Sequence, residues 1–89
     1  MKHYVVVYDI PDDDRRNKVA SILSGYGERV QLSVFECWLD RHMKAAMQEK
    51  VSRAIAADED SVRIYCVSTD EVLVIGTGEA LRPPKRFIV

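Results

Sequence analysis

The sequence predicts an α+β sandwich with two helices on one face of a mainly antiparallel sheet. Three observations predict it. Runs rich in β-branched and aromatic residues, "YVVVY", "ERVQLSVFECWL", "VRIYCV" and "EVLVIGTG", carry strand propensity. Two segments between them repeat apolar residues at helical spacing. The order of the runs is strand, helix, strand or strand pair, helix, strand, strand, which places two helices among strands that pair as neighbours.

Residues 4–8 have no polar interruption, as suits a central strand covered on at least one face. Asp12 or Asp13 caps the next helix, and the adjoining acids complement the positive end of its dipole. In that helix Val19, Ile22, Leu23 and Tyr26 form one stripe, which Gly25 and Gly27 end. Residues 28–39 are either one bent strand or two short ones meeting near Ser33. Asp40 caps a second helix with Met43, Met47, Val51 and Ala54 or Ile55 on its apolar face, and "ADEDS" closes it. "VRIYCV" and "EVLVIGTG" then make a hairpin around "STDE". This is the ferredoxin-like pattern. The end is different in kind. Pro83 and Pro84 bar an inner strand, yet "RFIV" is too apolar for water. A tail over about residues 79–89 that adds to the sheet edge of a second copy answers both, so the expected protein is a single domain over 1–89 in a homodimer with exchanged C-terminal strands.

A chain of 89 residues buries only about 60% of its unfolded surface, so association would supplement its core. The formal net charge of −1 gives no global basic field, and any polyanion must be met by a local patch. Cys37 and Cys66 lie in apolar surroundings without C-x-x-C spacing, which reads as buried free thiols in a reducing compartment rather than a disulfide or zinc site. No run is apolar enough for a signal peptide or a membrane span, and a cytoplasmic location is the simplest expectation.

Asp9 stands just past a buried strand. A carboxylate fixed there is suited to Mg²⁺, but from position alone the more common role is a turn acid that bonds the backbone at a helix start. One carboxylate is a poor Mg²⁺ site, but a two-fold axis near Asp9 would bring two together, their repulsion relieved by a shared cation. Arg15, Arg16 and Lys18 on the first helix, with Arg29 from the next strand, either grip phosphates or pair with Asp12, Asp13 and Asp14 on a solvated face. Gln31, Ser33 and Phe35 alternate, and in a regular strand they share a face toward substrate or dimer partner; a Phe in a strand is otherwise core. His3 and His42 stand alone, and "GTGE" lacks the context of a nucleotide-binding loop.

Taken together, "YVVVYDI", "DDDRRNKV" and "GERVQLSVFE" resemble the CRISPR-associated protein 2 family, the small partner of the integrase in spacer acquisition. The likeness runs through the "VLVIGTG" strand and the apolar tail. It implies a ferredoxin-like homodimer whose C-terminal strand completes the partner's sheet. It also implies that Asp9 is a catalytic Mg²⁺ ligand shared across the dimer axis, that Arg16, Lys18 and Arg29 are basic contacts to nucleic acid, and that Phe35 is the aromatic of the S-V-F segment. Lys18 stands where some relatives have Arg, which removes the bidentate fork at that position. Two functions follow from the resemblance. One is a Mg²⁺-dependent endonuclease on RNA or DNA; the other is a non-catalytic scaffold that bridges integrase copies and carries duplex DNA.

Overall fold

The structure, a computed structural model, describes residues 1–68 and 72–77. Strand β1 (Lys2–Asp9) leads into helix α1 (Asp13–Ser24), then β2 (Gly27–Gln31), β3 (Val34–Leu39), α2 (Arg41–Ala54) and β4 (Ser61–Val67). The sheet order is β2-β3-β1-β4, with every neighbouring pair antiparallel. Both helices cover one face, and the order is that of the expected split β-α-β fold.

The helix ends follow from side-chain chemistry. Asp12 accepts a hydrogen bond from the Arg15 N–H at 2.9 Å, and Asp40 accepts one from the Met43 N–H at 2.8 Å. Each carboxylate satisfies an N–H that has no carbonyl partner in the first turn. The period-2 alternation of β1 turns Tyr4, Val6 and Tyr8 into the core, where they meet Val19 and Leu23 of α1, Met47 and Val51 of α2, and Phe35, Cys37 and Leu39 of β3. Ile22, Tyr26, Met43 and Ile55, also expected on the apolar stripes, pack around this cluster. Gly27 is required by proximity. A Cβ there would overlap the Glu36 carbonyl oxygen and the Cys37 Sγ.

Residues 28–39 form two strands joined by a turn at Leu32 and Ser33. The expected hairpin of β4 with "EVLVIGTG" does not form among the described residues. Val72–Ile75 has no strand pairing, and Leu73 (86% exposed) and Ile75 (89%) face solvent. Strand propensity describes a fit to a half-buried pleated surface and needs an edge to pair with. The expected tail strand at 79–89, with Pro83 and Pro84, lies outside the described residues. The cysteines divide. Cys37 is fully buried, and burial, aided by the charge of Glu36, pushes its thiol up to about 11. Cys66, expected to be buried, is exposed on β4, the last strand of the sheet among the described residues.

Candidate functional site

The site is built where β1 ends. The Tyr8 N–H donates to the Ser33 carbonyl at 3.1 Å, and the Tyr8 hydroxyl donates to the Leu32 carbonyl at 3.0 Å. These two bonds hold the β2–β3 turn against the last residues of β1. On the other side Asp9 pairs in register with Ser61, the first residue of β4. Val7, Tyr8, Asp9, Ser61, Arg63 and Tyr65 line an open depression of ≈ 260 Å³ at this end of the sheet. Asp9 is exposed, and its carboxylate makes no hydrogen bond or ion pair among the described residues. The capping task that would have explained it structurally belongs to Asp12.

The first-helix cations have different fates. Arg15 donates from Nε and Nη2 to both oxygens of Asp60, at 2.8 and 3.0 Å, and from Nη2 to Glu59 at 2.8 Å. The Asp60 side chain is 0% exposed and also accepts the Ala56 N–H at 2.8 Å. The Arg15 hydrogen bond, with help from that N–H, holds the Asp60 carboxyl below the usual carboxylate range. Arg15 therefore fastens α1 to the loop before β4. Arg16 donates from Nη1 to the Ile10 carbonyl at 3.1 Å, one residue past Asp9, and its Nη2 pairs with Asp13. Lys18 is exposed on the same helix. Arg29 is exposed with its guanidinium 5.3 Å from the Phe35 ring centroid, a cation–π contact, and no carboxylate pairs with it among the described residues.

The expected common face of Gln31, Ser33 and Phe35 does not exist. Ser33 is in the turn, and an irregularity between Arg29 and Gln31 changes the register, so Arg29 pairs with Phe35 but Gln31 with Val34. Phe35 is 1% exposed and belongs to the core, while Gln31 is exposed on the opposite face. Sequence reasoning missed Ser61, Arg63 and Tyr65. The signal was present in the alternation of "SVRIY", which puts the three on one face. What was not legible was the register that sets Arg63 opposite Val7 and brings this face to Asp9.

No group of three or more His, Cys, Asp or Glu side chains among the described residues is arranged to hold a metal ion. The hard oxygens of Asp9 and Ser61 are of the type Mg²⁺ takes, but among the described residues Asp9 is the single carboxylate lining the depression. The donor set fits Mg²⁺ only as half of a site shared between two copies.

Two helices packed on one side of a β2-β3-β1-β4 antiparallel sheet, with an exposed carboxylate at the end of the central strand, define the class of protein. The chain belongs to the CRISPR associated protein Cas2 family, whose profile matches residues 1–73. It is similar to the CRISPR-associated endonuclease Cas2 2 of Thermus thermophilus, at 49% identity over 75 residues, covering 84% of this chain and 82% of that protein. It is similar to the CRISPR-associated endoribonuclease Cas2 3 of Synechocystis sp., at 43% identity over 89 residues and 97% of both chains. Among solved structures, Streptococcus pyogenes Cas2 superposes with a TM-score of 0.75 at 28% identity, over 83% of this chain and 99% of that one. A chain of a partial Cas6-RT-Cas1–Cas2 complex superposes with a TM-score of 0.60 at 31% identity, over 79% and 82%. Among the described residues no helix is long and apolar enough to cross a membrane.

Proposed function

We propose that this protein serves in CRISPR adaptation as a homodimer that works with a Cas1-type integrase and cleaves phosphodiester bonds of RNA or DNA with Mg²⁺ held between two Asp9 carboxylates. Membership of the Cas2 family supports the setting, as do the nuclease names of its relatives and the occurrence of a structural neighbour in a Cas1–Cas2 complex. The observation that carries the chemistry is Asp9 itself: exposed, without a partner among the described residues, and fixed by a strand paired on both sides. The helix-free face supports the dimer. Val5, Val7, Val34 and Trp38 are only half-buried there, and Val72–Ile75 exposes four apolar side chains without a strand partner among the described residues.

In this reading the two Asp9 carboxylates hold the ion, and Arg16, Lys18 and Arg29 hold the nucleic-acid backbone. Mg²⁺, when bound, supplies charge neutralisation and water activation at the phosphorus centre. The guanidinium of Arg16, steadied by the Ile10 carbonyl beside Asp9, places cationic charge near developing negative charge. A scaffold function is the second reading, favoured by one observation: among the described residues, Asp9 is the single carboxylate lining the depression, and no His lines it.

The test is cleavage of labelled RNA and duplex DNA by the purified protein with Mg²⁺ and after EDTA, together with size-exclusion chromatography with and without Cas1. The proposal expects cleavage that EDTA abolishes, a particle of twice the chain mass, and co-elution with Cas1. EDTA-insensitive cleavage, or a monomer that ignores Cas1, overturns it.

A further inference from the structure

We propose that Arg63 on β4 binds the phosphodiester beside Asp9 and is the main anion contact of this depression, an assignment that rests on the nucleic-acid reading above and names a residue for it. The inference starts from which cations carboxylates have already engaged. Arg15 is bound by Asp60 and Glu59, and Arg16 shares its guanidinium with Asp13, so the charge of each is already partly offset, and Arg16 is left as a secondary contact to the backbone. Arg63 takes part in no ion pair among the described residues. Its one polar contact among the described residues is neutral: Nη1 donates to the Tyr65 hydroxyl at 3.3 Å. The guanidinium therefore keeps its full charge and most of its donors, while Tyr65 on the same face limits where it can swing.

The placement matters as much as the charge. Arg63 lies opposite Val7, and Ser61 lies opposite Asp9, so Asp9 and Arg63 are diagonal neighbours on one sheet face. Such neighbours stand about 7–8 Å apart at the backbone. Opposite charges that close would be expected to pair, yet no Asp9–Arg63 ion pair forms, and both line the depression between them. A phosphate group bridges this arrangement. Its oxygens would accept from the planar fork of Arg63, and a Mg²⁺ ion that Asp9 would help to hold would offset the like charges of carboxylate and phosphate. The Ser61 hydroxyl adds a neutral donor in the same row. Because the contact is made to the backbone, it serves RNA and DNA alike and reads no sequence.

The experiment is fluorescence anisotropy of a labelled 20-mer RNA and a labelled 20-base-pair duplex, titrated with the full chain over a series of KCl concentrations. Parent, Arg63→Ala, Arg63→Lys and Arg53→Ala are compared, after circular dichroism and light scattering have fixed fold and particle mass for each. Arg53, paired with Glu49 on α2, is the charge-matched control. Arg63→Ala is expected to weaken binding about tenfold at 0.1 M KCl and to lower the log–log salt slope by about 1. Arg63→Lys is expected to restore the slope while binding roughly threefold more weakly than the parent, having lost the fork. Arg53→Ala is expected to match the parent. Parental affinity and slope in Arg63→Ala overturn the assignment alone. So does a binding loss in Arg63→Ala that follows a change of fold or particle mass and is not rescued by Arg63→Lys. A parent that binds neither probe overturns this assignment together with the nucleic-acid reading on which it rests.

Discussion

On the helix-covered face of the sheet, Tyr4, Val6, Tyr8, Phe35, Cys37 and Leu39 are all buried against α1 and α2. On the other face the same strands carry Val5, Val7, Val34 and Trp38 only half-covered, with Asp9, Ser61, Arg63 and Tyr65 gathered at one end. Because side chains alternate along a strand, adjacent residues of β1 serve separate purposes. Tyr8 anchors a turn and fills the core; Asp9, its neighbour, does neither. Two arginines show the same division. Arg15 is tied to a buried carboxylate, and Arg63 has a hydroxyl as its one hydrogen-bond partner among the described residues. Substitutions on the covered side should thus change stability, and those on the open side should change association and ligand binding with the fold intact.

The sharpest way to break this comparison is to truncate one residue from each side. Phe35→Ala should lose about 3–5 kcal/mol in urea denaturation, as a fully buried aromatic does. Asp9→Ala should stay within about 0.5 kcal/mol of the parent in the same measurement. Equal losses would show that the end of β1 is structural.

Next in size is association. Val5→Lys places a charge amid the half-buried apolar residues of the open face. Sedimentation velocity should find dimerisation weakened by at least about tenfold, with the circular dichroism spectrum of the parent retained. An unchanged dimer would move the interface elsewhere.

Acid sensitivity divides the two sides as well. Asp60 has its folded-state pKa lowered by the Arg15 hydrogen bond. Its contribution to stability is therefore complete above its unfolded value, about 3.9, and fades as pH falls through the lower folded value. Asp60→Asn should remove that part of the acid limb below about pH 4, measured by thermal melts across pH, while also lowering stability at neutral pH. The smallest effect is in the thiols. Under native conditions Cys66 should react with a maleimide at least about tenfold faster than Cys37, which burial holds as a thiol. Mass spectrometry of the singly labelled chain reads this directly.

The helices and the alternation of β1 and β4 were legible because each follows a local period with an Asp cap or a β-branched run. The division of residues 28–39 was not. The turn at Leu32 and Ser33 holds neither Gly nor Pro and is fixed by bonds from Tyr8, 24 residues away in the case of the hydroxyl. The partner of Arg15 was equally out of sight, since Asp60 lies 45 residues on, whereas Asp12, Asp13 and Asp14 were close at hand. Of the candidate site, Asp9 was readable from its place after a strand. Arg63 required the sheet order, which sets β4 beside β1. The apolar run at Val72–Ile75 shows the reverse error. Its propensity was real, but a strand exists only where an edge accepts it.

The most direct measurement is Mg²⁺-dependent cleavage of labelled RNA and duplex DNA by the parent and by Asp9→Ala, both verified as folded and of equal particle mass. The account predicts cleavage by the parent that disappears with the carboxylate while nucleic-acid binding persists. Cleavage that survives in Asp9→Ala, or a parent that binds nucleic acid and Cas1 but never cleaves, contradicts the catalytic assignment. The second result would leave the open face as the surface of a scaffold.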